Sequence, residues 1–98
     1  MKRSYWVYIL TNYRNTVLYT GVTNNLPRRI WEHGKGLAES SFTRRYRLYK
    51  LVWYAELPTA GEAIVLEKRI KGWKREKKLE LIKRSNPFFR DLRTGLYP

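Results

Sequence analysis

Two short runs of aromatic and β-branched residues near the start of the chain constrain its fold more than any other feature. The first run is Trp6 to Leu10, the second is Val17 to Thr20, and a polar segment at 11–16 separates them. Residues of these types favour strands, and two such runs joined by a short polar segment are typical of a β-hairpin. The chain is therefore expected to begin with two antiparallel strands.

The position of the turn determines which residues of this hairpin face each other. A loop centred on residues 13–14 pairs Leu10 with Val17 and Tyr8 with Tyr19. Because successive side chains of a strand alternate between its two faces, this pairing predicts both tyrosines on one face of the sheet. Such a pair is either ordinary cross-strand packing or a means of positioning or deprotonating a water molecule. The second task requires a nearby cation, since a free phenol has a pKa of about 10.

A helix is expected directly after the hairpin. Capping residues fill positions 23–25, Pro27 suits a first helical turn, and Gly34 with Gly36 ends the helix. The next segment, 37–47, is rich in Ser, Thr and Arg and shows no periodic pattern. We therefore expect a basic loop there.

The second half of the chain predicts one strand and two helices. Residues 48–55 are rich in β-branched and aromatic types, which predicts a third strand. Thr59 and Glu62 have the spacing of a capping box, and apolar residues then recur every three or four positions, as in a helix. A further helix is predicted over 74–84, and the Asn-Pro pair at 86–87 ends it.

Length and composition fit one domain that spans residues 1–98. A chain of 98 residues, of which 43% are hydrophobic, can build one compact core but not two. We expect an α+β fold in the order β-β-α-β-α-α, with a small three-stranded antiparallel sheet flanked by helices. The sequence lacks cysteine and begins with an apolar run too short for a signal peptide or a membrane span, so a cytoplasmic location is expected.

The net charge of the chain predicts a polyanionic partner. Its 21 Lys and Arg against 8 Asp and Glu give a formal net charge of +13. Each cation docked on a phosphate backbone releases condensed counterions, so nucleic acid is the leading partner. An anionic membrane surface is the alternative partner, and a basic surface that serves solubility alone is the alternative role.

Glu67 is the carboxylate that most needs an explanation. It lies beside the apolar stripe of its predicted helix, four residues after Ala63 and three before Ile70. A partly buried carboxylate is costly unless it is paired or binds a cation, and its oxygens would suit magnesium or manganese. The alternative is an ordinary helical ion pair with Lys71, four residues on.

His33 and Arg29 stand one turn apart on the first predicted helix. The histidine could carry a proton while the guanidinium fork binds two oxygens of the same phosphate. His33 is the only histidine in the chain. The alternative is that it lies at the C-terminal end of the helix because the helix dipole favours it there. A single histidine excludes a metal site built of histidines alone.

The basic segment interleaves aromatic and arginine side chains. Phe42 and Tyr46 stand among arginines and could hold unpaired bases or follow a phosphate backbone, as in proteins that bind single strands. The alternative is a solvated charged loop. The candidate nucleic-acid-binding residues are Arg28, Arg44, Arg45, Arg47 and Lys71.

Taken together, these residues resemble the GIY-YIG nuclease superfamily over nearly the whole chain. The two strand motifs of that family correspond to the triplets Trp-Val-Tyr and Tyr-Thr-Gly, separated here by ten residues. Both signature tyrosines, Tyr8 and Tyr19, and the final glycine are present, although the leading Gly-Ile is replaced. The family's arginine, histidine, glutamate and late asparagine fall, in that order, on Arg29, His33, Glu67 and Asn86.

The resemblance implies metal-dependent hydrolysis of nucleic-acid phosphodiester bonds, with DNA repair or processing as its setting. Glu67 would hold one Mg²⁺ or Mn²⁺, and Arg29 would neutralise charge developing on the phosphate. Tyr8, aided by His33, would activate or orient the water. The supporting candidates are Tyr19, which would position the phosphate, and Asn86.

Three alternatives follow from the same features. A non-cleaving DNA- or RNA-binding module would bind in a salt-dependent manner, equally with magnesium or EDTA. An accessory subunit would cut only in a complex, and a peripheral membrane protein would bind vesicles. For an enzyme of this size we expect DNA as the partner, no membrane, and a homodimer or a second protein where both strands are cut.

Overall fold

The computed structural model describes residues 4–35 and 41–96. Within these ranges the strands are β1 (Tyr5–Thr11), β2 (Leu18–Thr23) and β3 (Lys50–Leu57). The helices are α1 (Leu26–Gly34), α2 (Ser41–Arg45), α3 (Ala60–Lys71) and α4 (Arg75–Ser85), followed by a 3-10 helix at Leu92–Gly95. No helix in the described ranges has both the length and the apolar character needed to cross a bilayer.

The strands form one antiparallel sheet in the order β2-β1-β3, which confirms the predicted α+β class. The predicted register of the hairpin is wrong by two residues. Tyr8 pairs with Gly21, and Leu10 pairs with Tyr19. A shift by an even number of residues preserves the alternation of faces, so both tyrosines still lie on the same side of the sheet.

The loop between β1 and β2 explains the shift in register. The side-chain oxygen of Asn12 accepts hydrogen bonds from the backbone N–H groups of Thr16 and Val17, at 2.8 and 3.1 Å. Asn15 adopts a φ of 58°, a conformation that asparagine tolerates better than most residues. These contacts close a wider loop than the one predicted, and Val17 is held outside the strand.

The sheet separates two apolar clusters. The cluster on the α1 side contains the buried residues Tyr8, Leu10, Leu26, Ile30, Leu48 and Leu51. The cluster on the α3 and α4 side contains Val7, Ile9, Val52, Ala63, Ile70 and Ile82. The alternation of β1 between the two clusters is the period of two expected of a central strand, and it places Tyr8 beneath α1.

The helix boundaries follow the capping residues. Asn25 caps α1 by accepting a hydrogen bond from the Arg28 N–H, and Thr59 caps α3 by accepting one from the Glu62 N–H. As predicted, α1 ends at Gly34. Gly72 caps the end of α3. The predicted role of Gly36 lies outside the described residues.

The basic segment contains a helix that was not predicted. Residues 41–45 form α2, and 46–47 continue from it, whereas 36–40 lie outside the described residues. A helix of five residues is too short to show a period in the sequence. Tertiary packing stabilises it instead, because Thr43 is buried and its carbonyl accepts a hydrogen bond from the N–H of Leu48 in the core. Leu48 thus precedes β3, which begins and ends two residues later than predicted.

Candidate active site

The centre of the candidate site is a hydrogen bond between β1 and α1. The hydroxyl of Tyr8 and Nε2 of His33 lie 3.0 Å apart, and the exposed fractions of the two residues are 1% and 2%. The tautomer of the imidazole determines which group donates. A buried polar pair of this kind, 25 positions apart in the chain, ties the first strand to the end of α1.

The ring of Tyr8 fits against the backbone of β2 because its neighbour there is a glycine. A Cβ atom built on Gly21 would lie 2.9 Å from Cε1 of Tyr8 and closer still to its Cζ and hydroxyl. Contacts this short would force the ring to move. The glycine of the second motif is therefore a steric requirement for the position of the tyrosine in the first.

Burial keeps the Tyr8 phenol protonated. It raises the pKa of Tyr8 to about 12, with a smaller contribution from Tyr19, while a hydrogen bond donated by Arg29 acts in the opposite direction. At neutral pH the phenol is therefore a hydrogen-bonding group rather than a base.

His33 is held in the neutral form. Burial lowers the pKa of His33 to about 4, and the positive charge of Arg29 adds to this effect, while Glu32 opposes it. Within the described part of the chain, the buried Nδ1 atom has no hydrogen-bond partner. Arg29, one turn before His33 on α1, is thus close enough to influence the charge of the imidazole.

Arg29 extends from this buried centre towards solvent. Its guanidinium lies 3.7 Å from the carboxylate of Glu32, and its side chain is 28% exposed. Burial acts to lower its pKa, but the hydrogen bond to Tyr8 and nearby charges outweigh it, so that its pKa is raised. Beside it is an open cleft of about 400 Å³ at the end of β2. The cleft is lined by Val22, Thr23, Asn24, Asn25, Arg28, Arg29 and Glu32.

Tyr19 links the buried pair to the surface. Its ring centroid lies 6.4 Å from that of Tyr8, 5.8 Å from that of His33 and 6.5 Å from that of Phe42. The structure thus brings four of the predicted site residues into one cluster, which we call the α1 cluster. Its members are Tyr8, Tyr19, Arg29 and His33.

Glu67 lies outside the α1 cluster. It belongs to α3, whose buried residues pack on the opposite face of the sheet. Its side chain is 13% exposed and forms an ion pair of 3.1 Å with Lys71. This is the helical ion pair that was the alternative to a metal site in the sequence. In the described ranges no three His, Cys, Asp or Glu residues come together as a metal-binding group.

Asn86 occupies a structural position at the end of α4. Its Nδ2 donates hydrogen bonds to the carbonyls of Val52 and Arg90, at 3.1 and 2.9 Å, and its Oδ1 accepts one from the Arg90 N–H at 3.0 Å. The residue is 5% exposed. Its amide thus joins α4 to β3 and to the following turn, and the contacts described here do not include the α1 cluster.

The candidate nucleic-acid-binding arginines are on the surface of the α1 side. Arg28 is 74% exposed and faces Glu32 at 3.7 Å. Arg44 and Arg45 form the last turn of α2, and Arg47 follows with a φ of 55°. The fifth candidate, Lys71, is 52% exposed on α3 beside Glu67.

Glu32 was not among the site residues predicted from the sequence. This residue lies within 3.7 Å of both Arg28 and Arg29, which are its i−4 and i−3 neighbours on α1. Helical spacing alone could have predicted these ion pairs, since carboxylates pair with arginines three and four positions away. Its carboxylate orients the arginines and reduces the positive charge of the cleft.

Comparison with known proteins defines the class to which this fold and site belong. Residues 4–80 match the family model described as the GIY-YIG catalytic domain, and the chain belongs to that family. Membership suggests a nuclease type of function.

Within the family, the chain is similar to UPF0213 proteins. That of Syntrophus aciditrophicus is 36% identical over 85 residues, covering 87% of this chain and 95% of the relative. That of Clostridium perfringens is 40% identical over 77 residues, covering 79% and 81%. The solution NMR structure of a UPF0213 protein from Bacillus halodurans matches with a TM-score of 0.57 at 30% identity, covering 90% of this chain and 92% of that one.

Proposed function

We propose that this protein is a metal-dependent endonuclease that hydrolyses phosphodiester bonds in nucleic acid, with DNA as its substrate. The observation that carries the proposal is the α1 cluster, in which residues at the motif positions of a GIY-YIG domain share one hydrogen-bonded centre next to an open cleft. The net charge of +13 supports a polyanionic substrate. Repair or processing of DNA is the setting that we propose for it.

Arg29 is the phosphate-binding residue in this proposal. It is partly exposed at the cleft while its guanidinium also donates to the Tyr8 hydroxyl. A planar guanidinium anchored in this way is ready to stabilise the additional negative charge of a phosphoryl transition state. Tyr19, adjacent to Tyr8, positions the phosphate.

Tyr8 and His33 orient the attacking water. The phenol is protonated and the imidazole neutral at pH 7, because their pKa values are about 12 and about 4. Neither group is a strong base in this environment, so their contribution is a fixed hydrogen-bonding geometry rather than proton abstraction. The buried Tyr8 hydroxyl lies 3.0 Å from Nε2 of His33, and this hydrogen bond restricts its rotation.

Glu67 is the residue that would hold the divalent cation. One carboxylate suits Mg²⁺ or Mn²⁺, which commonly retain several waters and take further oxygen ligands from the phosphates of a substrate. The partial burial of Glu67 favours cation binding, and Lys71 currently supplies the positive charge. When bound, the cation would polarise the scissile phosphate as a Lewis acid.

The α1 cluster and Glu67 lie on opposite faces of the sheet, and in this proposal they act on one phosphate at the edge strand β2. Tyr19 lies on β2, and α3, which carries Glu67, packs against the same strand from the other face. β2 is at the edge of the sheet, so a backbone that passes along it is accessible from both faces. We propose that the scissile phosphate binds at this edge.

Cleavage assays with matched glutamate variants test the proposal. We expect wild-type protein to cut labelled DNA with magnesium or manganese but not with EDTA, and Glu67→Gln to lose at least about 100-fold in rate. Glu80→Gln removes an exposed glutamate of α4 and serves as the control for the change in net charge. Equal metal-dependent rates for Glu67→Gln and Glu80→Gln would contradict the assignment of Glu67.

A second candidate function is a binding module that does not cut. The observation that favours it is the ion pair between Glu67 and Lys71, which satisfies the carboxylate without a metal. This candidate predicts nucleic-acid binding that is the same in magnesium and in EDTA, with no product. Metal-dependent cleavage by the wild-type protein would exclude it.

A further inference from the structure

The surface next to the α1 cluster carries two exposed aromatic rings that the proposed chemistry does not use. Phe42 and Tyr46 are 44% and 40% exposed. Their ring centroids are 4.8 Å apart with an interplanar angle of 51°. Exposed single aromatic residues are common, but two rings in contact on a polar surface form an apolar patch. We call these two residues the aromatic patch.

The backbone of the basic segment holds the aromatic patch in place. The N–H of Tyr46 donates to the carbonyl of Phe42 at 3.1 Å, so the two side chains lie one helical turn apart on the same face. Thr43, between them in the chain, is buried, and its carbonyl accepts a hydrogen bond of 2.9 Å from the N–H of Leu48. The rings are therefore presented to solvent by a segment anchored in the core.

The chemistry around the aromatic patch matches an unpaired nucleobase. The guanidinium of Arg45 lies 5.6 Å from the ring centroid of Tyr46, and Arg44 and Arg47 belong to the same segment. Aromatic faces bordered by arginines bind single strands, because bases stack on the rings while the cations follow the phosphates. Bases within a duplex are stacked on each other and cannot reach such a surface.

The aromatic patch is continuous with the candidate active site. Phe42 contacts Tyr19 at a centroid distance of 6.5 Å and an interplanar angle of 31°, and Tyr19 contacts both Tyr8 and His33. A series of rings thus leads from the buried centre to the surface. A nucleotide whose base lies on Phe42 would place the adjoining backbone near Tyr19.

We propose that Phe42 and Tyr46 form a stacking subsite for an unpaired base of the nucleic acid that binds at the α1 cluster. This inference rests on the proposed function and narrows its substrate class to strands with unpaired bases: single strands, flaps, bulges or frayed ends. Phosphate contacts from Arg45 and its neighbours contribute affinity, and the rings discriminate between unpaired and paired bases.

The test compares binding of four ligands in EDTA, where metal-dependent cutting is suppressed. The probes are a fluorescently labelled single-stranded DNA, a strand of the same length and charge made of abasic nucleotides, and a hairpin duplex. An RNA strand of the same sequence distinguishes the two sugars. We expect Phe42→Leu to weaken binding of the single strand about 10-fold and to change binding of the abasic strand and the duplex by less than about 2-fold.

Three further variants complete the design. Phe88→Leu removes a phenylalanine that is 78% exposed outside the patch and is the matched control. Tyr46→Leu is expected to resemble Phe42→Leu, whereas Tyr46→Phe retains the ring and should preserve affinity. The inference is overturned if Phe42→Leu and Phe88→Leu behave alike with both DNA and RNA, or if the abasic strand loses as much affinity as the strand with bases.

Cleavage assays in magnesium keep this inference separate from the proposed function. If the wild-type protein cuts but Phe42→Leu has no selective effect on binding, the stacking subsite is refuted and the nuclease proposal stands. If Phe42→Leu has a selective effect on binding but no metal supports cutting, the subsite stands and the nuclease proposal is refuted.

Discussion

His33 is an ionisable side chain enclosed in a hydrophobic core, and its environment determines its charge. Burial and the neighbouring Arg29 lower its pKa to about 4, below the value of about 6.5 expected in an unfolded chain. Between these two values the unfolded state binds a proton that the folded state does not bind. The free energy of unfolding must therefore rise with pH across this window and fall on acidification.

We expect this effect to be visible in urea unfolding at about pH 7 and about pH 5. Acidification should lower the free energy of unfolding of the wild-type protein by about 2 kcal/mol more than that of His33→Gln, in which no histidine remains to titrate. His33 is the only histidine in the chain. Carboxylates also titrate on acidification, but both proteins share them, so their effect on stability cancels in the comparison. Identical changes in the two proteins would show that His33 is not held neutral by the fold.

The residues of the α1 cluster could be predicted from the sequence because each depends on a local rule. Strand alternation placed Tyr8 and Tyr19 on one face, even with the wrong register, because an error of two positions does not change the face. Helical spacing placed Arg29 and His33 one turn apart. In contrast, the hydrogen bond from Asn86 to the Val52 carbonyl joins positions 34 residues apart and follows no local rule.

At the scale of elements, the packing of β1 against β2 depends on a position without a side chain, Gly21. The ring of Tyr8 occupies the space above Gly21 that any other residue would fill. The two strands can therefore keep their register and retain a large aromatic side chain in the position it needs under α1. Gly21 is recognisable in the sequence as part of a motif, but only the three-dimensional structure gives the physical reason for a glycine there.

Two glycine-to-alanine variants test this contact. Gly21→Ala should lower the free energy of unfolding by about 1–3 kcal/mol, because its methyl group overlaps the Tyr8 ring. Gly61→Ala adds a methyl group to α3 where nothing lies within 4 Å, and a helix favours alanine, so it should be neutral or slightly stabilising. Chemical denaturation of both proteins provides the comparison, and equal stabilities would refute the close approach.

The short helix α2 shows where prediction at this scale failed. Its sequence has no apolar period, and an isolated helix of five residues is not stable in water. It forms because Thr43 and Leu48 are buried against the rest of the molecule. Long-range packing of this kind cannot be inferred from a window of a few residues.

At the scale of the whole molecule, the charge is distributed over both sides of the sheet. Arg28 and the arginines of the basic segment lie on the α1 side, whereas the last turns of α3 and α4 contribute Lys68, Arg69, Lys71, Lys83 and Arg84. A nucleic acid bound at the β2 edge would be attracted from both faces. The electrostatic part of its affinity must then depend strongly on salt.

Fluorescence anisotropy with labelled duplex DNA in EDTA would measure this dependence. Raising the salt concentration from about 50 to about 200 mM should weaken binding on the order of 100-fold if four phosphates are neutralised. The logarithm of the affinity should fall linearly with the logarithm of salt concentration. An affinity that is insensitive to salt would argue against a phosphate backbone as the ligand of this surface.

The hydrogen bond between Tyr8 and His33 also limits which substitutions the sequence of this protein can accept. The two groups belong to the core, so substitutions that abolish their chemistry also alter the packing of α1 on the sheet. A buried polar pair contributes less to stability than a well-packed apolar pair of similar volume often would. A lineage selected for robustness alone would be expected to drift towards phenylalanine and leucine at these positions. This chain nevertheless carries the polar pair, as expected if the two residues serve the proposed chemistry.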